Sequence, residues 1–408
     1  MSFVSNERRN RDRLFFGLPR AVWLLGWVSL ATDSATEAIY PLLPFFLTRV
    51  LGAGAVSLGI VEGAAEAANS VLKILSGRVA DRSTRRRPLV LLGYSVSSLA
   101  RPLIAVATNW PQVFAIRVLD RVGKGVRGAP RDAMLATWAT PQTRGKVYGF
   151  HRAMDHAGAI IGPALASAFL FFFPDRYRTL FALTIVPGAI AVSLILLVPE
   201  QPNSAAAIRP KREATDDADS RTTAHHALPR AFTTFMLVLT LFTLGNSSDA
   251  FLLLRLTDAA GSAKYVPLIW AALHFVKATT SVVGGTWSDR IGRRTVIALG
   301  WLMYAVVYAA FAVSTTLEAL VLWFLVYGFY FGFAEGTEKA LVADLAPAAR
   351  RGFAFGIYNA VQGVGALAAS VVFGLLWSAY GSAAAFGVGA ALALAATALL
   401  FAAIRRHP

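Results

Sequence analysis

Ionisable side chains interrupt apolar runs at several places in this chain, and their spacing says what chemistry they could do. Asp33, Glu37 and Tyr40 recur at i, i+4 and i+7, which puts them on one face of a helix just ahead of Pro41 and Pro44. Arg117, Asp120, Arg121, Lys124, Arg127 and Arg131 fall within an arc of about 120° when wound as a helix. Asn246, Ser247, Ser248 and Asp249 form a polar run followed by Arg255, and Glu335, Glu338 and Lys339 share a later segment. A carboxylate whose hydration changes between two states of a cavity can take up and release a proton. Asp33, Glu37 and Asp120 are therefore the candidates for proton coupling. Arg117 and Arg121 offer bidentate donors to a carboxylate or phosphate. Together with Lys124, Tyr40, Asn246, Asp249 and Glu335, they form the candidate lining of a substrate cavity. The same stripe has a second reading, in which its basic residues are neutralised by Asp33, Glu37, Asp120 and Glu62 or Glu66, leaving no site for an anion. The sequence leaves both open.

Other chemistries find less support. The chain has no cysteine, which excludes disulfides, thiol catalysis and thiolate metal sites. No nucleophile–base pair or metal cluster stands at helical spacing, so an enzyme is not expected. No glycine-rich phosphate loop is present, which disfavours ATP-driven pumping. The expectation is a protein without cofactor or metal, driven by a proton gradient.

The elements that must carry these residues are membrane spans. Of 408 residues, 56% are hydrophobic and 15% charged, against about 45–50% and about 25% in soluble chains. Mean hydropathy is +0.55. Apolar stretches recur near 21–49, 56–77, 88–108, 111–136, 146–173, 178–198, 231–257, 264–286, 295–314, 317–343, 352–378 and 382–404. None alternates as barrel strands do, so the fold class is an all-α integral membrane protein with twelve spans. A lipid-facing charge costs about 2.5–3.5 kcal/mol at the bilayer centre. The stripe at 117–131 must therefore face a polar cavity or other charged helices.

The formal charge of +16 would suggest nucleic acid in a soluble chain. Here it follows from basic cytoplasmic loops. Arginines crowd the segment before the first span, the second and eighth loops, and the chain end, whereas 108–111 and 314–318 contain no Lys or Arg. Both termini are expected in the cytoplasm of a cell with a bacterial-type inner membrane. The expected division is a basic N-terminus at 1–20, a six-helix half at 21–198, a solvated linker at 199–230, a second half at 231–404 and a short tail at 405–408. A monomer is expected, with bilayer, protons and a small molecule as its partners.

The two halves repeat. Gly77, Asp81, Arg82, Arg85 and Arg86 fall on Gly285, Asp289, Arg290, Arg293 and Arg294 when the chain is slid by 208 positions. Arg144, Gly145, Gly149, Ala153 and Gly158 fall on Arg351, Gly352, Gly356, Ala360 and Gly365 at 207. Two such matches indicate an internal duplication, and duplicated six-helix halves are a transporter plan. Arg131-Asp132 falls on Glu338-Lys339, which invites an inter-half salt bridge that switches during transport.

The G-x-x-x-D-R-x-x-R-R loop, present in both halves, resembles the signature loop of the major facilitator superfamily, and the resemblance covers essentially the whole chain. The fifth span, with Gly149, Gly158, Gly162 and Pro163, resembles the motif of that family's twelve-helix proton-coupled antiporters. Ala166 and Ser167 replace its usual paired glycines. Asp120 and Arg121 stand where drug antiporters usually carry Gln and Gly. The resemblance implies that spans 1, 4, 7 and 10 line a cavity, and that Asp81 and Asp289 with their arginines bridge and gate the cytoplasmic face. Gly158, Gly162 and Pro163 would serve close packing and bending. The function expected is proton-coupled export of a small organic molecule, with some preference for an anionic group. The alternatives are a proton symporter importing an organic acid or metal chelate and, from another class, a lipid flippase or lipid-handling protein.

Overall fold

The computed structural model describes residues 14–15, 17–83, 85–138, 144–199, 228–347 and 351–403. A short antiparallel pairing of β1, Leu14–Phe15, with β2, Leu18–Pro19, turns at Gly17, whose φ of 73° suits a residue without a side chain. The helices follow: α1 Arg20–Ile39, α2 Ala55–Arg82, α3 Arg87–Ala100, α4 Trp110–Thr137, α5 Arg144–Phe172, α6 Tyr177–Leu183, α7 Ile185–Leu197, α8 Arg230–Gly245, α9 Ala250–Ala260, α10 Val266–Ile291, α11 Arg293–Val313, α12 Leu317–Leu345, α13 Arg351–Tyr380 and α14 Ser382–Ala403. All twelve expected spans are present as helical passages. Eight of these are long and apolar enough to cross a membrane by length and composition alone. The passages outside that eight are α1, α2, α4 and α10, which hold Asp33, Glu62, the arginine stripe and Lys277.

Four spans read as continuous are broken. The first changes to a 3-10 turn at Tyr40–Leu42 and a π turn at Phe46–Val50, because Pro41 and Pro44 withhold backbone donors. The third ends in a 3-10 turn, Arg101–Val106, with Pro102 as its second residue. The sixth is interrupted at Thr184, whose hydroxyl donates to Phe181 O. The seventh opens between Gly245 and Ala250, where Ser248 Oγ accepts from Ala250 N at 3.3 Å in place of a helical bond.

The chain forms two compact units, with one boundary between Ile208 and Arg209 and two earlier segments, Tyr40–Val71 and Thr108–Phe114, grouped with the later helices. The first comprises Met1–Ile39, Leu72–Ala107 and Ala115–Ile208. Its core joins Val22, Leu25 and Val28 of α1 to Val90 and Tyr94 of α3, Leu135 of α4 and Ile195 of α7. Here α1 and α5 touch backbone to backbone: a Cβ on Gly162 would lie 2.7 Å from Ser34 Cα, and one on Gly158 3.0 Å from Asp33 Cβ.

The second unit comprises Tyr40–Val71, Thr108–Phe114 and Arg209–Pro408. The end of the first span and the start of the second thus belong with the later helices. The reason is close packing of α2 on α13, where a Cβ on Gly63 would lie 2.9 Å from Leu367 Cα and one on Gly374 2.7 Å from Ala55 O. Arg49 adds an ion pair to Asp258 at 2.7 Å. The core of this unit is aromatic: Phe242, Trp301, Tyr304, Tyr308 and Tyr327 are fully buried, and Phe242 stacks on Trp301 at 4.4 Å.

Candidate functional site

In the first unit the charged stripe of α4 splits by direction. Arg117, Asp120, Arg121 and Arg127 are buried, whereas Lys124 is exposed. The Asp120 carboxylate accepts from Arg101 Nε at 2.9 Å and meets Arg117 Nη1 at 3.6 Å. Arg101 Nη1 reaches on to Thr32 O at 3.3 Å, tying α1 to this cluster. Arg127 donates to Ser97 Oγ at 2.7 Å and lies 4.5 Å over the Tyr94 ring. Ser97 in turn donates to Asp120 O at 2.9 Å. Asp120, expected to carry protons, is therefore clamped between two guanidinium groups and acts as their counterion. Arg117, expected to hold an anionic substrate, forms an ion pair with that carboxylate. The neutralised reading of the stripe describes these two residues.

Asp33 stands apart from that lattice. It is half-buried on α1 beside Gly158, in the electrostatic field of Asp155, Lys124, Glu37 and Arg127. Asp155 of α5 accepts from Ser29 Oγ and meets His151 Nδ1 at 3.6 Å and Arg152 Nη1 at 3.7 Å. Arg131 donates to its neighbour Asp132 at 3.0 Å and to Ser29 Oγ at 3.5 Å. Asp33 thus shares α1 and α5 with a row of polar groups.

The second unit holds a different site around the break between α8 and α9. Asp249 Oδ1 accepts from Tyr327 OH at 2.8 Å, and Asp249 Oδ2 meets Lys277 Nζ of α10 at 3.5 Å. Lys277 Nζ lies 3.4 Å from the ring centroid of Phe331 and 5.1 Å from that of Trp270. Tyr40 packs on Trp270 with centroids 5.1 Å apart, and its hydroxyl is 3.4 Å from Ser248 Oγ. Asn246 donates to Tyr330 OH at 3.0 Å. Tyr40, Asn246 and Asp249, all expected to line a cavity, thus belong to one cluster.

Glu335 follows Phe331 by one turn of α12. It is exposed and accepts from Lys339 Nζ at 3.0 Å along α12. Glu338 is buried, accepting from Trp301 Nε1 at 2.8 Å, Tyr358 OH at 3.1 Å and Gln362 Nε2 at 3.2 Å. Arg131 and Glu338 each have hydrogen-bond partners within their own unit. Among the other gating candidates, Arg85 and Arg290 are exposed, Arg293 pairs with Asp344, Gly77 approaches Ala129, and Pro163 is buried inside α5. The side chains of Asp81, Arg82, Gly285 and Asp289 lie outside the described residues.

Reading the sequence missed Arg101, although an arginine beside Pro102 in an apolar run is a visible signal. It also missed the phenols of Tyr304, Tyr308, Tyr327 and Tyr330, whose i, i+4 and i, i+3 spacing within two spans marks one polar-tipped face.

The model of the Major Facilitator Superfamily matches residues 22–275 and 237–408. The chain belongs to that superfamily. An uncharacterised MFS-type transporter of Methanocaldococcus jannaschii is 32% identical over 366 residues, covering 88% of this chain and 89% of that protein. The multidrug resistance protein MdtH of Edwardsiella ictaluri is 26% identical over 358 residues, 86% of this chain and 83% of its own length. A crystal structure of a variant of the nucleoside transporter NupG superposes with a TM-score of 0.80 over 95% of this chain and all of that one, at 16% identity. The last comparison carries the fold alone. This member of the superfamily is thus a multi-pass membrane transporter rather than an enzyme, with the major facilitator fold.

Proposed function

We propose that the protein exports a small organic molecule across a bacterial-type inner membrane in exchange for protons, by alternating access, with both termini in the cytoplasm. The observation that carries this reading is Asp33: a half-buried carboxylate on α1, packed beside Gly158 and within the electrostatic influence of both acids, Asp155 and Glu37, and bases, Lys124 and Arg127. A carboxylate so placed gains or loses a proton when a neighbouring cation moves. The similarity to a multidrug resistance protein supports export over import. Asp120 is left out of the proton route because its guanidinium partners hold it as a counterion.

The test uses everted membrane vesicles with an acidic lumen and a panel of aromatic amines, acids and zwitterions. An exporter releases lumenal protons when its substrate is added, and Asp33→Asn abolishes that release while leaving expression and elution unchanged. Full gradient-driven transport by Asp33→Asn removes Asp33 from the mechanism. Substrate movement in the same direction as protons makes the protein a symporter instead.

A further inference from the structure

Asp249 and Lys277 lie near the middle of their membrane passages, yet their side chains retain 18% and 12% of their accessible surface. A charge open at that depth cannot face lipid and lines a polar recess. The recess is built rather than incidental. Its carboxylate is oriented by the Tyr327 hydroxyl, its ammonium is boxed by Phe331 and Trp270, and Tyr40, Ser248 and Asn246 add polar edges around an aromatic floor.

We propose that this cluster is the substrate site and that it takes a zwitterion: a molecule with an amine, a carboxylate and a flat apolar body. This rests on the protein being a transporter of small organic molecules. The ion pair is self-neutralised, which decides the class. An anionic ligand entering here would satisfy Lys277 but strand the Asp249 carboxylate beside a like charge. A cationic ligand would satisfy Asp249 and leave the ammonium without its counterion. A partly buried charge stripped of its partner is strongly unfavourable. A ligand carrying both charges inserts between the two groups, its amine to Asp249 and its carboxylate to Lys277, and keeps each satisfied. The faces of Trp270, Tyr40 and Phe331 then receive the ring of the ligand. Tyr327 holds Asp249 in position and is a positioning residue.

The experiment measures ligand-induced shifts in melting temperature of the full-length protein in detergent, at fixed pH and without a gradient. Two matched triads serve as probes: phenylalanine, phenethylamine and 3-phenylpropionate, and tryptophan, tryptamine and indole-3-propionate. The expected result is that at least one zwitterion binds tenfold or more tightly than its amine and its acid. Asp249→Asn should weaken the zwitterion and the amine, and Lys277→Gln the zwitterion and the acid, each by at least tenfold. Asp249→Glu and Lys277→Arg, which keep the charges, guard against a folding defect and should retain measurable zwitterion binding. A preference for the amines that increases in Lys277→Gln overturns the proposal and makes Lys277 a tethered stand-in for a cation. A preference for the acids, or no binding by either triad, overturns it as well. Proton-driven export of some other compound class that depends on Asp33 would leave the transport reading standing while this one falls.

Discussion

Asp120 and Asp249 are both carboxylates within membrane passages, and both meet a base, yet their surroundings differ in kind. Asp120 is almost sealed, at 3% side-chain exposure, between Arg101 and Arg117. Asp249 has one ammonium and one phenol, with 18% of its side chain open. The first unit therefore uses buried charge to hold α3 and α4 together and to tie in α1, leaving Asp33 as its acid with an unsettled environment. The second unit uses aromatic packing for stability and keeps its ion pair accessible. Charge inside a membrane can be scaffold or site, and access to water distinguishes the two better than residue type does.

The sharpest way to break this comparison is to remove each carboxylate. Asp120→Ala leaves two arginines buried without their counterion, so it should lower stability by about 3–5 kcal/mol, read as lost expression or a large fall in melting temperature. Asp249→Asn keeps the hydrogen bond from Tyr327 but leaves Lys277 without its counterion in a partly open recess, so it should lower the melting temperature by less than Asp120→Ala does, while ligand binding falls. Equal destabilisation by the two would erase the distinction between scaffold and site.

Glu338 tests whether the second unit also contains scaffold charge. Its carboxylate accepts from Trp301, Tyr358 and Gln362 in a buried pocket. Glu338→Leu strands those donors and should cost about 1–3 kcal/mol of stability, with zwitterion binding at Asp249 retained. Unchanged stability with altered transport would move Glu338 from scaffold to mechanism and return it to the gating role its sequence position invites.

Much of this was legible before any coordinates, and the rest was not, for physical reasons. The helical passages follow from apolar runs long enough to span a bilayer, whereas the break at Asn246–Asp249 does not, because polar side chains compete for backbone bonds in intact helices as well. The charged face of α4 follows from helical spacing. What it faces does not, because pairing depends on which neighbour approaches: Arg101 is nineteen positions from Asp120 and lies across a helix interface. The cage around Lys277 is assembled from α10 and α12 with Tyr40 nearby, and no local pattern joins those segments. The regrouping of Tyr40–Val71 with the later helices is also invisible in one dimension, since it rests on glycine contacts such as Gly63 against Leu367.

The smallest effect provides the reference point. Glu335 and Lys339 form an exposed i, i+4 pair at 3.0 Å, with side chains 56% and 45% open. Such a pair contributes about 0.3–0.5 kcal/mol, screened further by salt. A double-mutant cycle through Glu335→Ala and Lys339→Ala should return a coupling of that size, with zwitterion binding unchanged in all three variants. The spacing of this pair along α12 is as regular as that of the functional residues, so periodicity alone would rank Glu335 beside Asp249. A coupling of several kcal/mol, or loss of binding in Glu335→Ala, would mean that water access does not separate functional from incidental charge in this protein. Exposure to a recess walled by Trp270, Phe331 and Tyr327 would then differ in no useful way from exposure on a helix surface, and the contrast between Asp120 and Asp249 would need another cause.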